Sequence, residues 1–594
     1  MIKIKEFFGE HKWALVLALL ASIIVAFPQV YFRIDHRNDG VYQGIELLPD
    51  DPWSARVREV QDGHPNFGAI YYKDSKDNPY LFQPLGSMVV AYMGEIFSLD
   101  INNTLLLSRI VLTTAVFLLI YGFVFLISGD KLVALSSSAI LLLAESVLSY
   151  SGFSQLLHGI SPEDFLRIGR PVNPAMIYVL LFGFLIPFWQ FYKNPPAPDA
   201  GGWAGKKWVY GIVSTLILGL NFYNYFYSWT YLYAFGGLLV LTLLIRRNWR
   251  EALRISSIFV GALLVAIPYG FNLYHATLYP GYKEASLRFG VVMTHSPMFV
   301  GFVVVSVLVI FLLSFYKEDK NKYFFWLALL LAPFVTLNQQ LLTGKILQAA
   351  HYHWFFHKPV AVILFLIIIF YLLTKWQLVF YKKWLAVSII VASFATGVFI
   401  QTTSYAYGMR DGGEVAVERQ KYGPVMKWLN ENAEKEAVVF GNDETSHLTV
   451  IYTPLNVFYH RAAIYSLSAT KERLLATLFT FYRLRGVGVQ DVHEVFFAER
   501  GYVSASIYGM HYRELLGSYG AIPDEKVEEI VALYKATLST PRSKWLYDIW
   551  KKYEVEYLVW DKKTDSTWQL QKYPFLKEAI VFDDIAIYRF SLDS

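Results

Sequence analysis

Stretches of about 20 mostly apolar residues recur along this chain, and each has the length needed to cross the hydrocarbon core of a bilayer. About eleven are present, near 13–32, 104–128, 132–150, 173–192, 208–225, 228–245, 254–274, 298–316, 323–342, 358–374 and 384–402. Composition agrees. Of the 594 residues, 55% are hydrophobic and 17% are charged, whereas soluble domains carry about 25% charged residues. Disorder and a single water-soluble domain are both excluded. The net charge of +5 is small and comes from membrane loops, so no nucleic-acid partner is expected. The chain has no cysteine, which excludes thiol catalysis, Cys-ligated zinc, iron–sulfur clusters and disulfides.

Lys and Arg in short loops set orientation. The first residues hold Lys3, Lys5 and Lys12. Every second loop after them is basic: Lys131; Lys193, Lys206 and Lys207; Arg246, Arg247 and Arg250; Lys317, Lys320 and Lys322; Lys375, Lys382 and Lys383. Eleven spans put all of these on the cytoplasmic side, with the N-terminus inside and the C-terminus outside. No small-x-small cleavage pattern follows the first span, which is therefore expected to be retained. Residues 194–205, rich in Pro and Gly, form a cytoplasmic linker.

The long polar segments then share one face: residues 33–103, 151–172, 275–297, 338–357 and the tail from about 405. In the first of these, 50–63 has the pattern of a short helix, with Asp51 as N-cap, Pro52 at the first helical position and Gly63 at the stop. Trp53, Val57 and Val60 share one of its faces. A second helix opens at Pro84 and runs to about Phe97, too short to span and suited to the interface plane. The tail alternates patterns: helix at 424–433, strand at 437–441, helix at 469–485, and strands at 557–560, 579–582 and 585–590. That is an α/β or α+β domain. Its Gly486-Val487-Gly488 lacks the rest of a dinucleotide fingerprint. The expected division is a membrane domain over 1–404, including the loop 33–103, and an extracytoplasmic domain over 405–594.

This architecture resembles the multi-spanning glycosyltransferases of the GT-C fold, among them protein O-mannosyltransferases, lipid A aminoarabinose transferases and the catalytic subunit of oligosaccharyltransferase. The residues that carry the likeness are Asp50-Asp51, the stretch from Ala55-Arg56 to Asp62-Gly63-His64-Pro65, and 78–86, Asn-Pro-Tyr-Leu-Phe-Gln-Pro-Leu-Gly. The last is similar to the Pro-Leu-Gly entry of the second interfacial helix in the aminoarabinose branch. Two positions depart from the pattern. The tail has no Trp-Trp-Asp-Tyr-Gly motif, and Phe82-Gln83-Pro84 stands where the aminoarabinose branch has Lys-Pro-Pro.

The resemblance implies an inverting enzyme that moves a sugar from a polyprenyl-phosphate donor to an envelope acceptor (glycan, lipid or protein) outside the cytoplasm, in the plasma (inner) membrane. Asp51 or Asp50 would take the acceptor's proton, or Asp51 would serve only as an N-cap. Glu163 and Asp164 in 161–171 match a second acidic motif that binds a divalent cation, Mg²⁺ or Mn²⁺, in one branch. They equally suit the first turn of a helix capped by Ser161. Arg167 and Arg170 suit bidentate phosphate contacts or interface anchoring. Lys345 and His351 are further candidates for the phosphate, while His351, His353 and His357 lack the partners of a zinc site. Glu145 and Arg109, lying in or near apolar runs, are expected to pair with each other. The aromatic run 222–233 is an interfacial belt or a sugar and polyprenyl groove. Two other classes stay open: a transporter or flippase of lipid-linked glycans, against which no repeated halves are visible, and a non-catalytic scaffold.

Overall fold

The computed structural model of the chain describes residues 2–48, 52–193, 206–314, 319–410, 413–509 and 522–591. Asp50, Asp51, Lys317 and the linker 194–205 lie outside the described residues. The chain divides into two compact units. One comprises Met1–Asp35, Met93–Gly270 and Thr294–Glu414; the other comprises His36–Tyr92, Phe271–Met293 and Val415–Ser594. Most of the first long loop thus shares a unit with the tail rather than with the spans.

The first unit is helical, and the protein is an integral membrane protein. Among the described residues seven helices are long and apolar enough to cross a bilayer: Gly9–Asn38, Ile101–Ser128, Ala175–Lys193, Phe226–Ile245, Lys320–Thr343, Ala350–Lys375 and Val379–Ala406. An eighth crossing is made if Trp249–Val265 and Ile267–Thr277, bent by 53° at their junction, count as one span. All eleven expected stretches are helical, but Lys131–Leu143, Trp208–Asn221 and Phe302–Ser314 are shorter. Lys131–Leu143 and Phe302–Ser314 have 13 residues each. At about 1.5 Å per residue these rise about 20 Å, less than the roughly 30 Å core. After Leu143 and Asn221 apolar residues continue past the last helical turn, which is what lengthened the expected stretches.

Helical form follows from the lipid environment, where every backbone N–H and C=O must be satisfied inside the segment. The ends are marked by polar residues. Asp100 accepts the N–H of Asn103 at 2.9 Å, and Gly129, at φ 71°, closes the same helix. Asp130 then accepts the N–H of Leu132 at 2.8 Å, so a two-residue turn joins antiparallel helices. Inside, aromatic rings interlock, with Trp189 on Phe325 at 5.0 Å, Phe235 on Phe325 at 5.3 Å and Phe123 on Trp326 at 5.8 Å. Close helix approach needs small residues: a Cβ on Gly236 would sit 2.0 Å from the ring of Phe259.

The second unit is built on a five-stranded sheet. Its strands are β1 (Val438–Phe440), β2 (Asn456–Val457), β3 (Val555–Asp561), β4 (Leu576–Phe582) and β5 (Ile585–Phe590), in the order β2-β1-β3-β5-β4. β1 runs parallel to β2 and β3, while β5 is antiparallel to β3 and β4. The Asp583-Asp584 turn closes the β4–β5 hairpin, with Asp583 at φ 48°. Phe440, Trp550, Leu558, Trp568 and Tyr588 fill the core over the sheet. Gly486, at φ 83°, ends the helix Lys471–Arg485, so the Gly-Val-Gly segment is a helix stop.

The loop residues are built into this unit. The N–H of Val457 donates to the carbonyl of Tyr71 at 2.9 Å. His64 meets Glu436 at 2.8 Å, Lys73 meets Glu554 at 2.8 Å, and the Lys435 ammonium donates to the Asp62 carbonyl at 2.6 Å. Arg473 lies 3.4 Å over the ring of Tyr72 and pairs with Asp74. The expected helix after Asp51 is Trp53–Gln61, with Val57 and Val60 buried and Gly63 at φ 98°. The second, Leu85–Ile96, buries Gly86, Ser87, Val90 and Ala91, while Tyr92 and Ile96 are exposed. Its small residues pack inward and its large apolar ones face out, as an interface helix requires.

Candidate functional site

In the membrane unit, the segment 161–171 is pinned from several sides. Gln401 accepts the Leu166 N–H at 3.1 Å and donates to the carbonyls of Ile24 and Val25. Arg109 donates through Nε to the Gly169 carbonyl at 2.9 Å, and Ser108 donates to the Pro171 carbonyl at 3.1 Å. Ser404 donates to the Glu163 carbonyl at 3.2 Å. Four hydrogen bonds from other helices thereby fix the backbone of this loop. It presents the short turn Arg167–Gly169 and then Arg170.

Arg167 and Arg170 come together with residues of the Ala350–Lys375 segment and of the turn before Phe226. The Arg167 guanidinium lies 5.4 Å over the ring of Trp354. Trp354 is 5.5 Å from His351, and His351 is 5.0 Å from Tyr227. The Tyr225 hydroxyl is hydrogen-bonded to Nδ1 of His351, and Arg170 acts on Tyr225 electrostatically. The result is a patch with two guanidiniums, an imidazole, a phenol and an indole face. Fixed cations of this kind suit phosphate oxygens, and aromatic faces suit the apolar side of a sugar ring. Tyr352, Thr230, Thr336 and His357 extend the polar chain inward, with Thr230 to Tyr352 at 2.8 Å and Thr336 to His357 at 3.1 Å.

The acidic residues separate. Glu163 is half-buried, and burial raises its carboxyl above the ordinary range, against the Ser146 hydroxyl, the Arg167 charge and the Arg167 N–H. Asp164, its neighbour, is exposed. Among the described residues no three His, Asp or Glu side chains converge on a metal position. Glu145 does not pair with Arg109. Its carboxylate meets Lys358 at 2.8 Å, and Arg109 is taken by the Gly169 carbonyl. Lys345 also stands apart from the patch. Its carbonyl ties down Gln339 at 2.8 Å and Thr343 at 3.1 Å, and its ammonium is exposed. Sequence reasoning missed Lys358 and Trp354, and picked out Tyr225 only as part of the aromatic run 222–233. A lysine in the first turn of an apolar span was the available signal for Lys358.

In the second unit, the helix that follows Asp50 and Asp51 carries Arg56, which is 1% exposed. Its guanidinium lies 3.5 Å over Phe82 and 4.7 Å over Trp53. Phe82, the position where the aminoarabinose branch has lysine, therefore serves as the platform for an arginine. Phe82 also lines a cleft with Phe67, Tyr71, Leu81, Tyr465 and Leu467.

No protein-family model matches the sequence, and no curated protein sequence matches it. Among solved structures, the chain is similar to ArnT from Cupriavidus metallidurans bound to undecaprenyl phosphate, at 11% identity over 98% of this chain and 99% of that one, with a TM-score of 0.45. The apo state of the same ArnT gives 12% identity, 98% of each chain and a TM-score of 0.46. The Archaeoglobus fulgidus oligosaccharyltransferase tethered to an acceptor peptide gives 11% identity, 95% of this chain and 71% of that one, with a TM-score of 0.49.

Proposed function

We propose that the protein is an inverting membrane glycosyltransferase of the GT-C kind. It takes a sugar from a polyprenyl-phosphate donor and places it on an envelope acceptor at the extracytoplasmic face. The supporting observation is the pinned patch of Arg167, Arg170, His351, Tyr225 and Trp354 at the ends of membrane helices. A lipid-linked donor needs its tail in the bilayer and its phosphate at the boundary, beside cations that do not move.

In the proposed reaction Asp51, or Asp50, accepts the proton of the acceptor hydroxyl. The hydroxyl oxygen attacks the anomeric carbon from the side opposite the phosphate. The new C–O bond forms as the bond to the phosphate oxygen breaks, and its electron pair leaves with polyprenyl phosphate. Arg167 and Arg170 neutralise that charge, with His351 as a further contact. Of Glu163 and Asp164, only Asp164 is exposed enough to meet a Mg²⁺ or Mn²⁺ ion brought in with the phosphate, and no step is routed through one. Mass spectrometry of polyprenyl-phosphate sugars and envelope glycans, with and without the protein, tests the proposal. One sugar-bearing product should vanish and its lipid donor accumulate. Unchanged profiles under good expression would contradict it, and translocation of the lipid-linked sugar without a new glycosidic bond would favour a flippase.

A further inference from the structure

We infer that the helix Tyr150–Leu157, in a segment whose sequence suggests a water-exposed loop, lies in the outer leaflet of the bilayer with an apolar stripe among the lipids. Tyr150 is 92% exposed, Phe153 53% and Leu157 70%, and Ile160 just beyond is 52% exposed. At 100° per residue the three helical positions Tyr150, Phe153 and Leu157 fall within an arc of about 60°. Gly152 is the helix's buried residue, Ser154, Gln155 and Leu156 are half-buried, and Ser151 is the one polar residue exposed beside the stripe. A helix facing water would turn these sides the other way.

Charge and length point to lipid as the occupant. No Asp, Glu, Lys or Arg occurs between Glu145 and Glu163. The helix before it, Lys131–Leu143, has 13 residues and rises about 20 Å, so it ends inside a core of roughly 30 Å. That helix is almost wholly buried among its neighbours, so the stripe that follows it is the part of this segment left to face lipid, at a depth where interfacial helices bury their apolar faces by about 5–10 Å. The seat is fixed from below. A Cβ on Gly152 would stand 2.2 Å from the Ser146 carbonyl oxygen, so only glycine lets the helix rest on the turn Ser146–Leu148. Ser149 caps it by accepting the Gly152 N–H at 3.1 Å. The inference rests on the membrane location alone and stands or falls separately from sugar transfer.

The absence of cysteine makes a direct test available. Phe153→Cys, Leu157→Cys and Tyr150→Cys are each spin-labelled in the full chain, in vesicles of phosphatidylethanolamine and phosphatidylglycerol. Collision with oxygen is compared with collision with a water-soluble nickel chelate, and Lys544→Cys on the exposed tail is the aqueous reference. The ratio of oxygen to nickel collisions should be several-fold higher at 153, 157 and 150 than at 544. A ratio equal to that at 544 would place the stripe in water and overturn the inference. Low collision with both reagents would place it under protein, as in contact with a second copy, and would also overturn it. Because the three positions are exposed, loss of folding in one variant leaves the other two to decide.

Discussion

Lys358 places its ammonium 2.8 Å from a Glu145 carboxylate oxygen and 2.8 Å from the carbonyl of the same residue. Both side chains are largely buried, at 10% and 15% exposure. The pair links the start of one long span to the turn that follows the short helix Lys131–Leu143.

Lys358→Met leaves a buried carboxylate without its partner. Breaking a buried pair costs about 3–5 kcal/mol. Thermal unfolding in detergent should show a large drop in Tm for Lys358→Met, and a smaller one for the double variant Lys358→Met/Glu145→Leu. Additive losses would mean that the two residues act independently.

Arg167→Ala and Arg170→Ala each remove a guanidinium from the proposed phosphate site. A hydrogen bond to a charged group contributes about 1.5–3 kcal/mol, so kcat/KM for the lipid donor should fall about 10–150-fold in each. Lysine should restore only part of the loss, since it keeps the charge without the planar fork. Full activity in Arg170→Ala would remove it from the site. Trp354→Phe, which keeps a ring under Arg167, should be close to wild type, and Trp354→Ala should not.

Asp565 in the tail accepts from Asn442 at 2.8 Å, and burial pushes its carboxyl up to about 6. A carboxyl raised in the folded state binds more protons there than in the unfolded state between about pH 4 and 6. Its contribution to stability is therefore present at low pH and lost as pH rises through that window. Asp565→Asn mimics the protonated form. The Tm of this variant relative to wild type should be higher at pH 7 than at pH 4, by an amount corresponding to at most about 3 kcal/mol. An equal difference at both pH values would show that burial does not disfavour the charge.

Phe82→Leu removes the ring under the buried Arg56 guanidinium. The cation–π contact contributes about 0.5–2 kcal/mol, and the second unit should lose stability on that scale. Phe82→Lys, which sets a like charge beside Arg56, should cost more.

Span positions were legible because spans announce themselves by length and hydropathy; in the tail two helices and most of the strands were legible by period, while Asp443–Tyr452, Asp524–Thr537 and Arg542–Lys552 were not read. The two-residue strand Asn456–Val457 was not, since two residues carry no period. Two short helices were overestimated because apolar residues beyond Leu143 and Asn221 prolong the hydropathy without prolonging the helix. Arg167, Arg170 and His351 were singled out by residue type, and the structure brings them together. The ties around them were hidden, because Gln401 is 235 residues from Leu166 and Lys358 is 213 residues from Glu145, and the chain carries no sign of either pairing. The joining of residues 36–92 to the tail was hidden for the same reason.

Turnover of the purified protein carrying Asp51→Asn or Asp50→Asn tests the proposed chemistry most directly. Asn caps a helix about as well as Asp, so a structural role predicts normal folding and near-normal activity. The catalytic proposal predicts normal folding and unchanged donor binding, with transfer slowed about 10²-fold or more in the variant that has lost the base. Full transfer activity in both variants would contradict it.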